Sequence, residues 1–135
     1  MKLKSLIIAT ILTTATLTKI TAQNTNDLIG KWETSYNDKG KNYIVVYEFK
    51  KEDKTVKAYT VLIKDEKGEQ LEDNSLVLSK IEFKNKKGTC IYSLEYEGEL
   101  YEIKSKLNLK DNNTLVLSYS YYGFSDTETW KRIKS

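Results

Sequence analysis

From Gly30 onward, apolar and polar residues alternate in short runs rich in Val, Ile, Tyr and Thr, and turn-forming clusters cut the runs apart. That pattern is the sequence signal of β-strands. The first run spans Gly30 to Tyr36 and ends at Asn37-Asp38-Lys39-Gly40. The second, Tyr43 to Lys50, sets Tyr43, Val45, Tyr47 and Phe49 on one face. A charged turn, Lys51-Glu52-Asp53-Lys54, leads to the third, Thr55 to Ile63, which alternates less cleanly. After Asp65-Glu66-Lys67-Gly68, a polar loop through Asp73 and Asn74 precedes the fourth run, Leu76 to Phe83. Its apolar positions change phase between Leu78 and Ile81, which predicts a bulge.

The second half of the chain is more regular. Beyond Asn85-Lys86-Lys87-Gly88, the fifth run places Cys90, Tyr92, Leu94 and Tyr96 together. Glu97-Gly98 makes a tight turn. The sixth run then sets Tyr101, Ile103, Ser105, Leu107 and Leu109 against Glu102, Lys104, Lys106 and Asn108. Asp111-Asn112-Asn113 turns into the seventh run, with Leu115, Leu117, Tyr119 and Tyr121 inward, and the eighth runs from Thr127 to Lys134. Period two means one face buried and one wet. No long window carries apolar residues at helical spacing. Runs joined by tight turns pair with their neighbours in sequence, as an up-and-down barrel or as a two-sheet sandwich. The length of the runs favours the barrel. The expected fold is one all-β domain over residues 23–135, a single eight-stranded antiparallel up-and-down barrel.

The first 22 residues read differently. Met1 to Lys4 is basic, Ser5 to Thr18 is uncharged and apolar or small, and Ala22 precedes polar Gln23. These are the parts of a secretory signal peptide over residues 1–22, with cleavage expected after Ala22. The apolar run is too short to serve as a stable membrane anchor. An exported product, periplasmic or extracellular, is the expectation. Cleavage also changes the charge: Lys2, Lys4 and Lys19 leave with the leader and no acid does, so the remainder has 19 basic and 19 acidic residues. A neutral chain whose lysines alternate with acids has no clustered basic face for nucleic acid. Cys90 is the single cysteine and cannot form an internal disulfide. It reads as a small buried hydrophobe, with a reactive thiol or an intermolecular bridge as the alternatives.

The two ends of the domain carry a further signal. Leu28-Ile29-Gly30-Lys31-Trp32 contains the G-x-W element that opens the first strand of lipocalins and related calycin barrels. The chain finishes with Tyr122-Gly123-Phe124 and Trp130-Lys131-Arg132. Together these ends resemble an uncharacterised family of exported bacterial proteins with a lipocalin-like barrel, whose members start with G-x-W and finish with G-F followed by W-x-R. Many of those members carry cysteines in the central loop, and this chain has none there. The resemblance implies a structural plug: Gly30 and Trp32 close one end of the barrel, and Arg132 packs over the indole. Arg132 is the only arginine among 22 basic residues. A planar guanidinium can stack on an indole and still fork to carbonyls, which a lysine cannot do. A ligand-contacting or plainly exposed Arg132 are the alternatives.

Little in the sequence points to catalysis. There is no histidine, which removes the commonest general base and metal ligand. No metal site, cofactor loop or nucleophile elbow is expected. Glu95, Glu97, Glu99 and Glu102 crowd one hairpin, and they read as a solvated charge ladder rather than a catalytic pair. Asp65, Glu66, Glu69, Glu72 and Asp73 do not have the spacing of an EF-hand loop. The ten tyrosines are the most suggestive feature. Tyr47, Tyr92, Tyr101 and Tyr119 fall on inward faces and are the candidate ligand contacts, each an apolar ring with a hydroxyl that needs a partner. An eight-stranded barrel either fills with side chains or holds one small molecule. The expected function is non-enzymatic: binding of a small hydrophobic or amphipathic ligand inside the barrel, without a cofactor. The alternative is an interaction module of the cell envelope with a filled barrel and an unknown protein partner.

Overall fold

The computed structural model describes residues 25–134; the expected leader, residues 1–22, lies outside them. A short 3₁₀ turn, Thr25–Leu28, precedes eight strands: β1 (Gly30–Asp38), β2 (Lys41–Glu52), β3 (Thr55–Asp65), β4 (Gln70–Lys84), β5 (Lys87–Tyr96), β6 (Glu99–Asp111), β7 (Thr114–Tyr121) and β8 (Phe124–Arg132). Every strand pairs antiparallel with the next, and β8 returns to β1, so the sheet is a closed up-and-down barrel. Closure joins the two sheet edges at the base end of β1 and β8. It also excludes the sandwich, because Trp32 pairs with Arg132 and Glu33 with Lys131.

Tight turns follow from local chemistry. Lys39-Gly40, Glu97-Gly98 and Tyr122-Gly123 each take positive φ at both positions, and so does Asn85-Lys86. Two successive left-handed residues make the hairpin turn whose twist matches that of the flanking strands. The turns β1–β2, β3–β4, β5–β6 and β7–β8 surround one end of the barrel, here called the mouth. The N-terminal 3₁₀ turn and the remaining hairpins surround the other end, the base.

The base half is solid. Leu28, Trp32, Phe49, Leu78, Leu107, Leu115, Leu117 and Trp130 are almost entirely buried. Trp32 meets Phe49 edge to face at 6.3 Å, and Phe49 tilts against Trp130 at 6.0 Å. Cys90 belongs to this core as a free, buried thiol, and burial pushes its pKa up to about 12. The expected bulge in β4 is present: the register with β5 shifts between Ser79 and Glu82, with Lys80 at φ 49°. Gly88 faces it across the ladder, where a Cβ would lie 2.1 Å from the Glu82 carbonyl oxygen.

Three expectations are corrected. The polar stretch through Asp73 and Asn74 is strand, because β4 begins at Gln70 and pairs with β3 through Ile63↔Leu71 and Leu62↔Glu72. This segment rises past the rim with both faces in water, so it needs no apolar alternation. Tyr96 and Tyr121, expected inward, are exposed at the rim, and Tyr43 is only half-buried there. Finally, β8 spans Phe124–Arg132 rather than reaching Lys134.

Candidate functional site

Strand β8 organises the interior because its inward positions step from base to mouth. Arg132 lies outside the base, Trp130 in the core, Glu128 above it, and Asp126 higher still on the wall of an open cup. At the base, the Arg132 guanidinium sits 4.3 Å over the Trp32 ring. It donates from Nε to Asn112 O at 2.7 Å, from Nη1 to Ile29 O at 2.9 Å and from Nη2 to Asp27 O at 2.6 Å. Trp32 Nε1 in turn donates to Leu28 O at 2.9 Å. Gly30 has φ +125°, and a Cβ there would lie 3.2 Å from Arg132 Nη1. One cation thus joins the 3₁₀ turn, the start of β1 and the β6–β7 turn around an indole; beside this plug a separate cleft of about 560 Å³ opens at the base between the β2–β3 and β4–β5 hairpins, bordered by Val56, Ile81 and Phe83. Arg132 is far from the cup and does not contribute to it.

The mouth half is partly open. A cup of about 650 Å³ opens between the strands above the core. Its aliphatic wall includes Val45, Ile63, Val77 and Leu94. Its floor is aromatic and polar. Tyr47 lies flat on Trp130, with ring centroids 3.9 Å apart and planes 10° from parallel. Tyr92 and Tyr119 meet edge to face at 5.2 Å. Between them stands the Glu128 carboxylate, which sequence reasoning passed over. Tyr92 donates its hydroxyl to Glu128 Oε2 at 3.0 Å, Tyr119 donates to the same oxygen at 3.3 Å, and Trp130 Nε1 donates to Oε1 at 3.1 Å. Burial first, and the negative Glu128 second, raise the pKa values of Tyr47, Tyr92 and Tyr119 above the ordinary tyrosine value. All three hydroxyls therefore stay protonated at neutral pH, and those of Tyr92 and Tyr119 are spent on Glu128.

Three of the four candidate tyrosines converge on this cup: Tyr47, Tyr92 and Tyr119 line it. Tyr101 does not. Its hydroxyl donates to Glu99 at 3.0 Å on the same hairpin, and its ring packs against Tyr121 at 5.7 Å, beside the mouth. Glu128 was legible in principle, since it shares the inward phase of Trp130 and Arg132 on one alternating strand.

The cup also has a side opening. Beyond Glu33↔Lys131, β1 and β8 are joined by a hydrogen bond from Thr34 Oγ1 to Thr129 O at 2.9 Å and then diverge. A cleft of about 610 Å³ lies along that seam and shares Tyr36, Asp126 and Glu128 with the cup. Around the mouth, Tyr96, Leu100, Tyr122 and Phe124 are 62–92% exposed. Among the described residues, no three His, Cys, Asp or Glu side chains converge to hold a metal ion. No family model, curated protein or solved structure matches the chain.

Proposed function

We propose that the protein is an exported, non-catalytic carrier of the lipocalin-like kind, holding one small amphipathic molecule in the mouth half of its barrel. The observation that carries this reading is the division of the interior. At the base Arg132 plugs the axis of the barrel over Trp32, and the cleft there lies to one side under the β2–β3 and β4–β5 hairpins, while the mouth holds about 650 Å³ within the strands, lined by aliphatics and by Tyr47, Tyr92 and Tyr119. That volume lies within the usual range of small-molecule sites, roughly 300–1,000 Å³. Apolar walls with a few convergent hydroxyls suit a molecule with an apolar body and one polar end. The G-x-W start and W-x-R ending support the family resemblance, and the basic, apolar and small-residue order of the first 22 residues supports export.

Native mass spectrometry of the gently purified chain, followed by a thermal-shift panel of amphiphiles, tests the carrier role. The expected result is a co-purified small molecule, or a shift that Leu94→Trp abolishes by filling the cup. A chain with no bound mass and no shift from any amphiphile would sink the proposal. Export is tested separately: the product recovered from an export-competent bacterium should begin at Gln23, and an intact Met1 would argue against it.

A second reading is favoured by the exposed rim of Tyr96, Leu100, Tyr122 and Phe124. Exposed apolar patches mark interaction surfaces, so the barrel would present this rim to another envelope protein. Capture of a partner that survives cup-filling Leu94→Trp, and is lost with Phe124→Ser, would select this role over the carrier.

A further inference from the structure

The polar groups of the cup are of one sign. Asp38, Asp73, Glu95, Asp126 and Glu128 line it, and among the described residues no lysine or arginine does; Lys131 lies outside it, on the side cleft that shares Asp126 and Glu128. On the outer surface, acids and lysines alternate, so this segregation is local to the cup. Its deepest charge, Glu128, is held by three neutral donors and by no cation. Three donors leave one acceptor position of the carboxylate open, since two carboxylate oxygens offer about four. The carboxylate is therefore positioned on the floor of the cup, with no counter-ion among the cup's described lining residues.

The aromatic surfaces favour the same kind of guest. Tyr47 has one face covered by Trp130 and is only 6% exposed, so it meets the cup that it lines with a small part of its ring. Tyr92 and Tyr119 stand at right angles beside it. Ring faces carry partial negative charge and attract cations within about 6 Å of the centroid. A metal ion has no converging set of ligands among the described residues. An organic cation needs no such set. It is held by ring faces and one carboxylate, and its apolar part is received by the aliphatic wall above.

Resting on the carrier reading of the cup, we infer that its ligand is a cationic amphiphile, an alkyl amine or quaternary ammonium compound, seated with its positive head on Glu128. Fatty acids and other anionic amphiphiles of the same size are disfavoured by the same field. The Glu128 carboxylate and the three tyrosine rings set the preference for the head. Asp126, higher on the wall, draws the cation in.

Three probes with one tail and different heads test this: decyltrimethylammonium, decanol and decanoate, each titrated below its micellar concentration into the full chain. Tryptophan fluorescence reports binding, because Trp130 contacts both Tyr47 and Glu128. The cation should bind about tenfold tighter than decanol, and decanoate more weakly than either. Glu128→Gln should cost the cation about tenfold and decanol a smaller factor, so that the preference for the cation over decanol falls. Asp126→Asn, at an exposed position, should lower the cation's affinity by a smaller factor, and it carries the test if Glu128→Gln does not fold. Equal binding of all three heads, unmoved by either variant, would overturn the charge preference and leave the carrier role standing. Failure of every probe to bind would overturn both.

Discussion

Arg132→Lys keeps the charge at the base of the barrel and removes the planar fork. The guanidinium donates to three carbonyls, on Asp27, Ile29 and Asn112, while lying 4.3 Å over Trp32. A lysine ammonium on the same backbone reaches one of those carbonyls at a time, so two charge-assisted bonds are lost. Each is worth about 1.5–3 kcal/mol in mutational series. Losing the flat contact with the indole adds about 0.5–1 kcal/mol. The abandoned carbonyls lie at the end of the barrel and regain water, which offsets a large part of this. The net destabilisation expected is about 2–3 kcal/mol. For a domain of this size, about 4 °C per kcal/mol gives a fall in Tm of about 8–12 °C. Urea unfolding followed by tryptophan fluorescence measures it well, since Trp32 and Trp130 are both fully buried. The midpoint should fall with an unchanged slope. A variant within about 0.5 kcal/mol of the parent would refute the role given to the fork, because surface substitutions alone fall in that range.

Gly88→Ala should destabilise by about 2–3 kcal/mol, the range of core overpacking, because the new Cβ would press on the backbone of the β4 bulge; unchanged urea stability would show that the bulge yields freely. The fold should lose stability in alkali. Cys90 has a folded pKa of about 12, so its contribution is intact below the unfolded thiol value of about 8.5 and is lost as pH rises toward 12, by about 1.4 kcal/mol per pH unit at most. The raised values of Tyr47, Tyr92 and Tyr119 steepen that loss above about pH 10. Melting curves across this range check it, and Cys90→Ala should remove the first part of the decline while sparing the second. Tyr122→Asn should stabilise by about 0.5–1 kcal/mol, because Tyr122 holds φ 47° in a turn and Asn tolerates that region better. Loss of stability there would mean that the exposed ring contributes more through Tyr121 than its backbone costs.

Alternation carried the strand inventory because it reports which side of a sheet a residue faces. It does not report depth. Tyr96, Tyr101 and Tyr121 have the inward phase, yet they sit where the inside of the barrel is already water. Tyr47, Tyr92 and Tyr119 have the same phase one or two layers down and line the cup. For the same reason Gln70 to Ser75 was illegible as strand: beyond the rim both faces are wet and the period vanishes. Closure was invisible locally, since it rests on Trp32 and Glu33 pairing with residues about a hundred positions away. The phase change at Leu78 to Ile81 was readable, because a bulge writes itself into the apolar spacing of its own strand. Glu128 was overlooked because a lone carboxylate among threonines looks solvated until Tyr92 and Tyr119, on β5 and β7, are seen to converge on it.

The seam between β1 and β8 has a consequence in time. The ribosome makes β8 after all seven strands it must close against, and β8 brings Trp130 to the middle of the core and Arg132 to the base plug. Before it emerges, the sheet has two bare edges, no central indole and nothing to clamp the N-terminal turn. Loop-closure entropy has to be met before such distant contacts repay it, so this topology assembles slowly. The barrel is therefore a lock whose key is made last. Whatever handles the growing chain meets it while it is still an open, threadable ribbon.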